Sequence, residues 1–100
     1  MFKTNEHFKH QDINDVIPEI MYYYLFKGLS LTSIEEKVLG TDELHGWFSK
    51  CILNYFGIDT EKDNKGIYDK KSISEVVDIL TYSPDIAHNR VAKILKGKYL

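Results

Sequence analysis

Cysteine, arginine, proline and long apolar runs are all scarce in this sequence, and most of these shortages exclude something. The single cysteine, Cys51, rules out an intrachain disulfide and any metal site built on a cysteine pair. A lone thiol suits a reducing compartment. The longest apolar run, Ile20 to Phe26, is seven residues, far below the ~20 that a membrane-spanning helix needs. The opening segment, Met1 to Asp12, is polar and lacks the apolar core of a secretory signal. A cytoplasmic protein without a membrane role is therefore expected. Arg90 is the one arginine among 13 basic residues. That argues against bidentate reading of phosphate or guanine, for which the planar guanidinium fork is favoured. The two prolines, Pro18 and Pro84, both fall where helices are expected to begin. A composition rich in Lys, Ile, Tyr and Asn hints at an AT-rich bacterial or phage genome.

What is present points to one folded unit. One hundred residues is the size of a single domain. A hydrophobic share of 43%, with 13 aromatic residues, supplies a core without disulfide or metal staples. Net charge is −2 but unevenly spread. Asp12 to Leu44 carries seven acids against two lysines, and Pro84 to Leu100 four bases against Asp85. One end is acidic and the other basic, a pattern compatible with head-to-tail self-association.

The periodicity predicts an all-α protein, a compact bundle of about five short helices. Residues 1–11 show no period and read as a flexible arm, leaving 12–100 as a single helical domain. The first helix is expected from an N-cap at Asp15, with Pro18 in its first turn and Ile13, Ile17, Ile20 and Tyr24 as its core stripe. Gly28 should end it in a left-handed conformation. Thr32 and Glu35 fit a capping box for a second helix, which Gly40 stops. Thr41 is expected to cap a third helix with Leu44, Trp47, Phe48, Cys51, Ile52 and Tyr55 as its inward face, closed by Gly57 and Ile58. Residues 59–71 mix four acids with four lysines and read as a solvated loop, anchored by Ile67 and Tyr68. Ser72 and Glu75 form a second capping box, opening a helix through Val76, Val77 and Leu80. Ser83 is expected to cap the last helix with Pro84 at its first position, Ala87, Val91, Ile94 and Leu95 inward and Gly97 as its end. The last two helices have the lengths of a helical hairpin or helix-turn-helix.

No chemistry-bearing constellation emerges. Cys51 has no histidine on its face, since His45 lies six residues earlier, about 240° around a helix; a core position is expected for it. His7 and His10 are three apart but lack further ligands. Asp59, Glu61 and Asp63 imitate the start of a calcium loop, yet position six is Asn64 and position twelve is Lys70, where glycine and glutamate are required. Acid pairs in first helical turns are accounted for by the helix dipole. No cofactor or metal is expected, and no enzymatic activity.

Two surfaces stand out. Tyr22, Tyr23 and Phe26 give the first helix apolar residues on more than one side, so it is either central or covered by a partner, another protein or a second copy. On the last helix His88, Asn89, Lys93 and Lys96 are expected to face outward, where they would contact DNA. The expected function is a small non-enzymatic helical protein-interaction module. The alternative is a DNA-binding regulator using residues 72–96.

Overall fold

A computed structural model describes residues 13–100. Five α-helices and no strand make up the described residues: α1 Ile13–Phe26, α2 Leu31–Leu39, α3 Trp47–Tyr55, α4 Ile73–Thr81 and α5 Ile86–Tyr99. A short 3₁₀ turn, Gly66–Tyr68, interrupts the long α3–α4 connection. The expected arm, residues 1–11, lies outside the described residues, as do His7 and His10.

The central helix α1 packs against α2, α3 and α5, while α4 packs mainly on α5. Its expected start is corrected: the helix is already formed at Ile13, so Asp15 lies within it and Pro18 is an interior residue. Proline there forfeits one hydrogen bond near the helix start. Full burial of the Pro18 ring with Val16, Ile20 and Met21 offsets that loss. Val16 rather than Ile17 joins the deepest layer. Gly28 ends the helix as expected, at φ 64. The N–H groups of Lys27 and Leu29 both close onto the Tyr23 carbonyl at 3.2 and 3.3 Å.

The α2–α3 junction departs most from the sequence expectation. Ser30, not Thr32, caps α2, accepting from the Ser33 N–H. Glu35 forms no capping box. It is fully buried, and its carboxylate accepts the N–H of Gly46 at 2.8 Å and of Ser49 at 2.9 Å. Glu35 thus caps the following helix rather than its own. Thr41 makes a local turn with Glu43, and α3 starts only at Trp47 behind Gly46, which stands at φ 85. An added Cβ at Gly46 would meet Leu31 at 3.0 Å.

Anchored in this way, α3 turns a different side inward from the one expected. Ser49, Leu53 and Phe56 are buried, Phe48 and Ile52 are half-buried, and Trp47, Cys51 and Tyr55 face solvent. The core expectation for Cys51 is therefore wrong. The ending is as expected: Gly57 stands at φ 89, with Ile58 N–H bonded to the Leu53 carbonyl and Gly57 N–H to that of Asn54.

In the 59–71 connection Asp59 and Asn64 exchange backbone hydrogen bonds at 2.9 Å. Tyr68 anchors it from the core, whereas Ile67 is exposed. The Ser72–Glu75 capping box forms with both of its bonds, at 3.2 and 2.9 Å. For α5 the cap shifts two residues, to Asp85, which accepts the Ala87 N–H at 2.8 Å. Gly97 does not end α5, which continues to Tyr99. Ala92 is buried with Val91 and Leu95, while Ala87, expected inward, is exposed. All five helices contribute to one core cluster.

Candidate functional site

The first expected surface is partly covered from within the chain. Tyr22 stacks on Tyr99 at the end of α5, ring centroids 3.8 Å apart and planes within 4°. Tyr23 meets Tyr22 edge-on at 5.6 Å, and Phe26 lies 5.9 Å from Tyr22. All three are half-buried against the core. Lys27 and Lys37 lie over the Tyr22 and Tyr23 rings. Nearby, Lys98 pairs with Glu19 at 3.3 Å. Burial pushes the Tyr99 phenol up to about 12, helped by the Glu19 carboxylate.

The second expected surface separates into two sets. The Asn89 amide donates to the carbonyls of Leu80, Thr81 and Ser83 at 2.9, 3.1 and 2.9 Å. It caps the end of α4 and fixes the α4–α5 turn. The His88 ring stacks on Phe56 at 4.6 Å, with Nδ1 2.9 Å from the Ser83 hydroxyl. Lys93 and Lys96 remain on the outside, joined there by Arg90.

Several exposed large apolar side chains belong to neither set. Among the large apolar side chains Trp47 is 63% exposed, Tyr55 57%, Tyr82 84% and Ile86 74%. Trp47, Cys51 and Tyr55 recur every four residues, so they form a ridge about 12 Å long on the outside of α3. At its end the Tyr55 hydroxyl donates to the Asp85 carboxylate at 2.5 Å, and its ring meets His88 edge-on at 5.7 Å. Tyr55 is thereby held against the start of α5. The phenol holds the Asp85 carboxyl below its ordinary value, aided by the Ala87 N–H. The same bond raises the Tyr55 phenol, so it stays the donor. At the other end of the ridge the Lys50 ammonium lies 5.0 Å over the Trp47 ring and bonds Glu61 at 2.8 Å.

Two shallow clefts share Leu31 and Thr60 in their linings, and one of them reaches Trp47. One, of about 360 Å³, lies between the α1–α2 junction and the loop, lined by Tyr24, Leu29, Ser30, Thr60, Asp63 and Lys65 among others. Its Tyr24 hydroxyl donates to Asp63 at 2.7 Å. Burial and that carboxylate push the Tyr24 phenol up to about 12. The second, of about 280 Å³, runs beside Trp47, His45 and Lys50. Among the described residues no group of three or more His, Cys, Asp or Glu side chains is placed to hold a metal ion. No helix of the described residues is long and apolar enough to cross a membrane.

Sequence reasoning missed Trp47, Tyr55, Tyr82, Ile86 and Arg90 as surface residues. One signal was available: α3 carries more apolar residues than a single helix face can bury, so some had to remain outside. Compared with known family models, curated proteins and solved structures, the chain matches none.

Proposed function

We propose that this chain is a small non-enzymatic helical protein-interaction module, and that it docks its partner on the Trp47–Cys51–Tyr55 ridge. The observation that carries this reading is the exposure of aromatic side chains in register along one short helix. Isolated exposed apolar residues are ordinary; a line of them is not. Tryptophan and tyrosine also lead among side chains that anchor protein interfaces, because a rigid ring contributes large area at little entropic cost. The ridge is held in place from both sides, by Glu35 at the start of α3 and by the Tyr55–Asp85 bond at its end. A surface fixed before binding loses less entropy on association. Tyr22, Tyr23 and Phe26 are half-buried, with Tyr22 stacked on Tyr99, and so offer less open area than the ridge.

Site-specific photocrosslinking in the native host tests the proposal. A photoreactive phenylalanine analogue at Trp47 or Tyr55 is expected to yield a discrete adduct with another protein. The same group at Thr32 or Ser74, both exposed elsewhere, is expected to yield none. Absence of adducts from the ridge, or the same adducts from every position, overturns it.

A further inference from the structure

We propose that the partner on this ridge is an acidic amphipathic helical segment of another protein, with its carboxylates set against the outward face of α5. The inference rests on the docking reading above and names the chemistry of its occupant. Opposite the buried Val91, Ala92 and Leu95, helical spacing places Ile86, Arg90 and Lys93 on one outward strip, flanked by Lys96. All four are exposed. Arg90, Lys93 and Lys96 make no ion pair with any described residue, whereas Lys98 and Lys50 pair with Glu19 and Glu61. Lysine in a last helical turn is accounted for by the helix dipole. Arg90 and Lys93 sit mid-helix, beyond that effect, and α5 has no acid after its cap.

The cap residue Asp85 is itself engaged by the Tyr55 hydroxyl and the Ala87 N–H, and lies 3.7 Å from His88. Ile86 follows Asp85 in the chain, so the strip begins one residue beyond the bond that holds the end of the ridge. The Tyr55–Asp85 bond thus ties an apolar element to a positive one. A helical segment that carries both apolar residues and carboxylates complements both.

A nucleic acid fits less well. The Asn89 amide is occupied by three carbonyls and the His88 ring by Phe56, so this face offers no group for reading bases. A net charge of −2 opposes a polyanion overall. An apolar ridge also has no counterpart on phosphate.

The test is selection from a displayed library of amphipathic helical peptides, fixed at the apolar positions and randomised elsewhere, against the purified chain. Enrichment of Asp and Glu is expected. Affinity of the enriched peptides should fall about tenfold in Arg90→Glu/Lys93→Glu and weaken with salt. It should also be largely lost in Trp47→Ala/Tyr55→Ala, with circular dichroism unchanged in both variants. Enrichment of neutral or basic peptides that still need Trp47 and Tyr55 sinks the charge inference alone. Binding indifferent to Trp47 and Tyr55, or no enrichment at all, sinks the docking reading with it. Low-salt binding of a fluorescent DNA duplex abolished by Arg90→Glu/Lys93→Glu reassigns the strip to nucleic acid. Self-association of the chain abolished by the same variant reassigns it to a second copy. Either result overturns the proposal.

Discussion

Helices α3 and α4 are nine residues each, yet their N-termini are held in opposite ways. The start of α4 is satisfied by its own neighbours, Ser72 and Glu75, three positions apart. The start of α3 has no side-chain cap of its own; its N–H groups find Glu35, eleven and fourteen residues upstream. A local cap fixes where a helix begins and leaves its inward face to the hydrophobic pattern. A distant cap also fixes how the helix is rotated, since it pulls one side of the first turn toward the donor helix. That rotation sends Leu53 inward and puts Trp47, Cys51 and Tyr55 on the surface.

The strongest way to break this contrast is Glu35→Ala. It leaves the buried N–H groups of Gly46 and Ser49 without an acceptor and should destabilise the fold by about 4 kcal/mol, read from urea unfolding. Glu35→Gln keeps one acceptor oxygen and should cost clearly less. A loss below about 1 kcal/mol for Glu35→Ala would mean that α3 is placed by packing alone.

Next in size is the inward face of α3. Leu53→Ala should cost about 3 kcal/mol, as expected for a fully buried leucine. Trp47→Ala should fall within about 0.5 kcal/mol of wild type. Near-equal costs would place the ridge in the core. The thiol of Cys51 gives an independent reading, since it should react with a disulfide reagent at once in the native protein.

Ser72→Ala probes the local cap and should cost about 1 kcal/mol, well below Glu35→Ala. A reversed order would show that the local box, not the distant carboxylate, dominates.

The smallest effect concerns Tyr55→Phe. Asp85 has a folded pKa lowered first by the Tyr55 phenol and then by the Ala87 N–H. A depressed folded value contributes stability above the ordinary aspartate pKa of 3.8, lost as pH falls through the lower folded value. Tyr55→Phe should therefore raise the Asp85 pKa toward 3.8, seen by carboxyl NMR titration. It should also make stability fall less steeply in that acid range. An unmoved Asp85 titration would remove the bond that fastens the ridge to α5.

Legibility in the sequence followed the same division. The all-α class, the ends at Gly28, Gly40 and Gly57, the Ser72–Glu75 box and the core residues Val76, Val77 and Leu80 rest on contacts within a few residues, so pattern alone reached them. Thr32–Glu35 shows the limit, because the same capping pattern was present and its glutamate had a better use elsewhere. Asn89 repeats the lesson: an amide placed on an outward face turned to three carbonyls that exist only once α4 and α5 are paired. Of the candidate surface, Lys93 and Lys96 were legible as outward residues, while the exposure of Trp47, Tyr55 and Tyr82 was not.

By itself the sequence determined that the chain folds into short helices, where most of them stop and that enough apolar side chains exist to fill a core. Apolar periodicity, left-handed glycines and short-range caps act within a turn or two of chain and need no third dimension. Only the tertiary structure decided which apolar side chains were left over. The core takes those that packing and distant hydrogen bonds turn inward, and a buried carboxylate without N–H donors is too costly to tolerate. Glu35 therefore claims the start of α3, and the aromatic ridge is on the surface as a consequence.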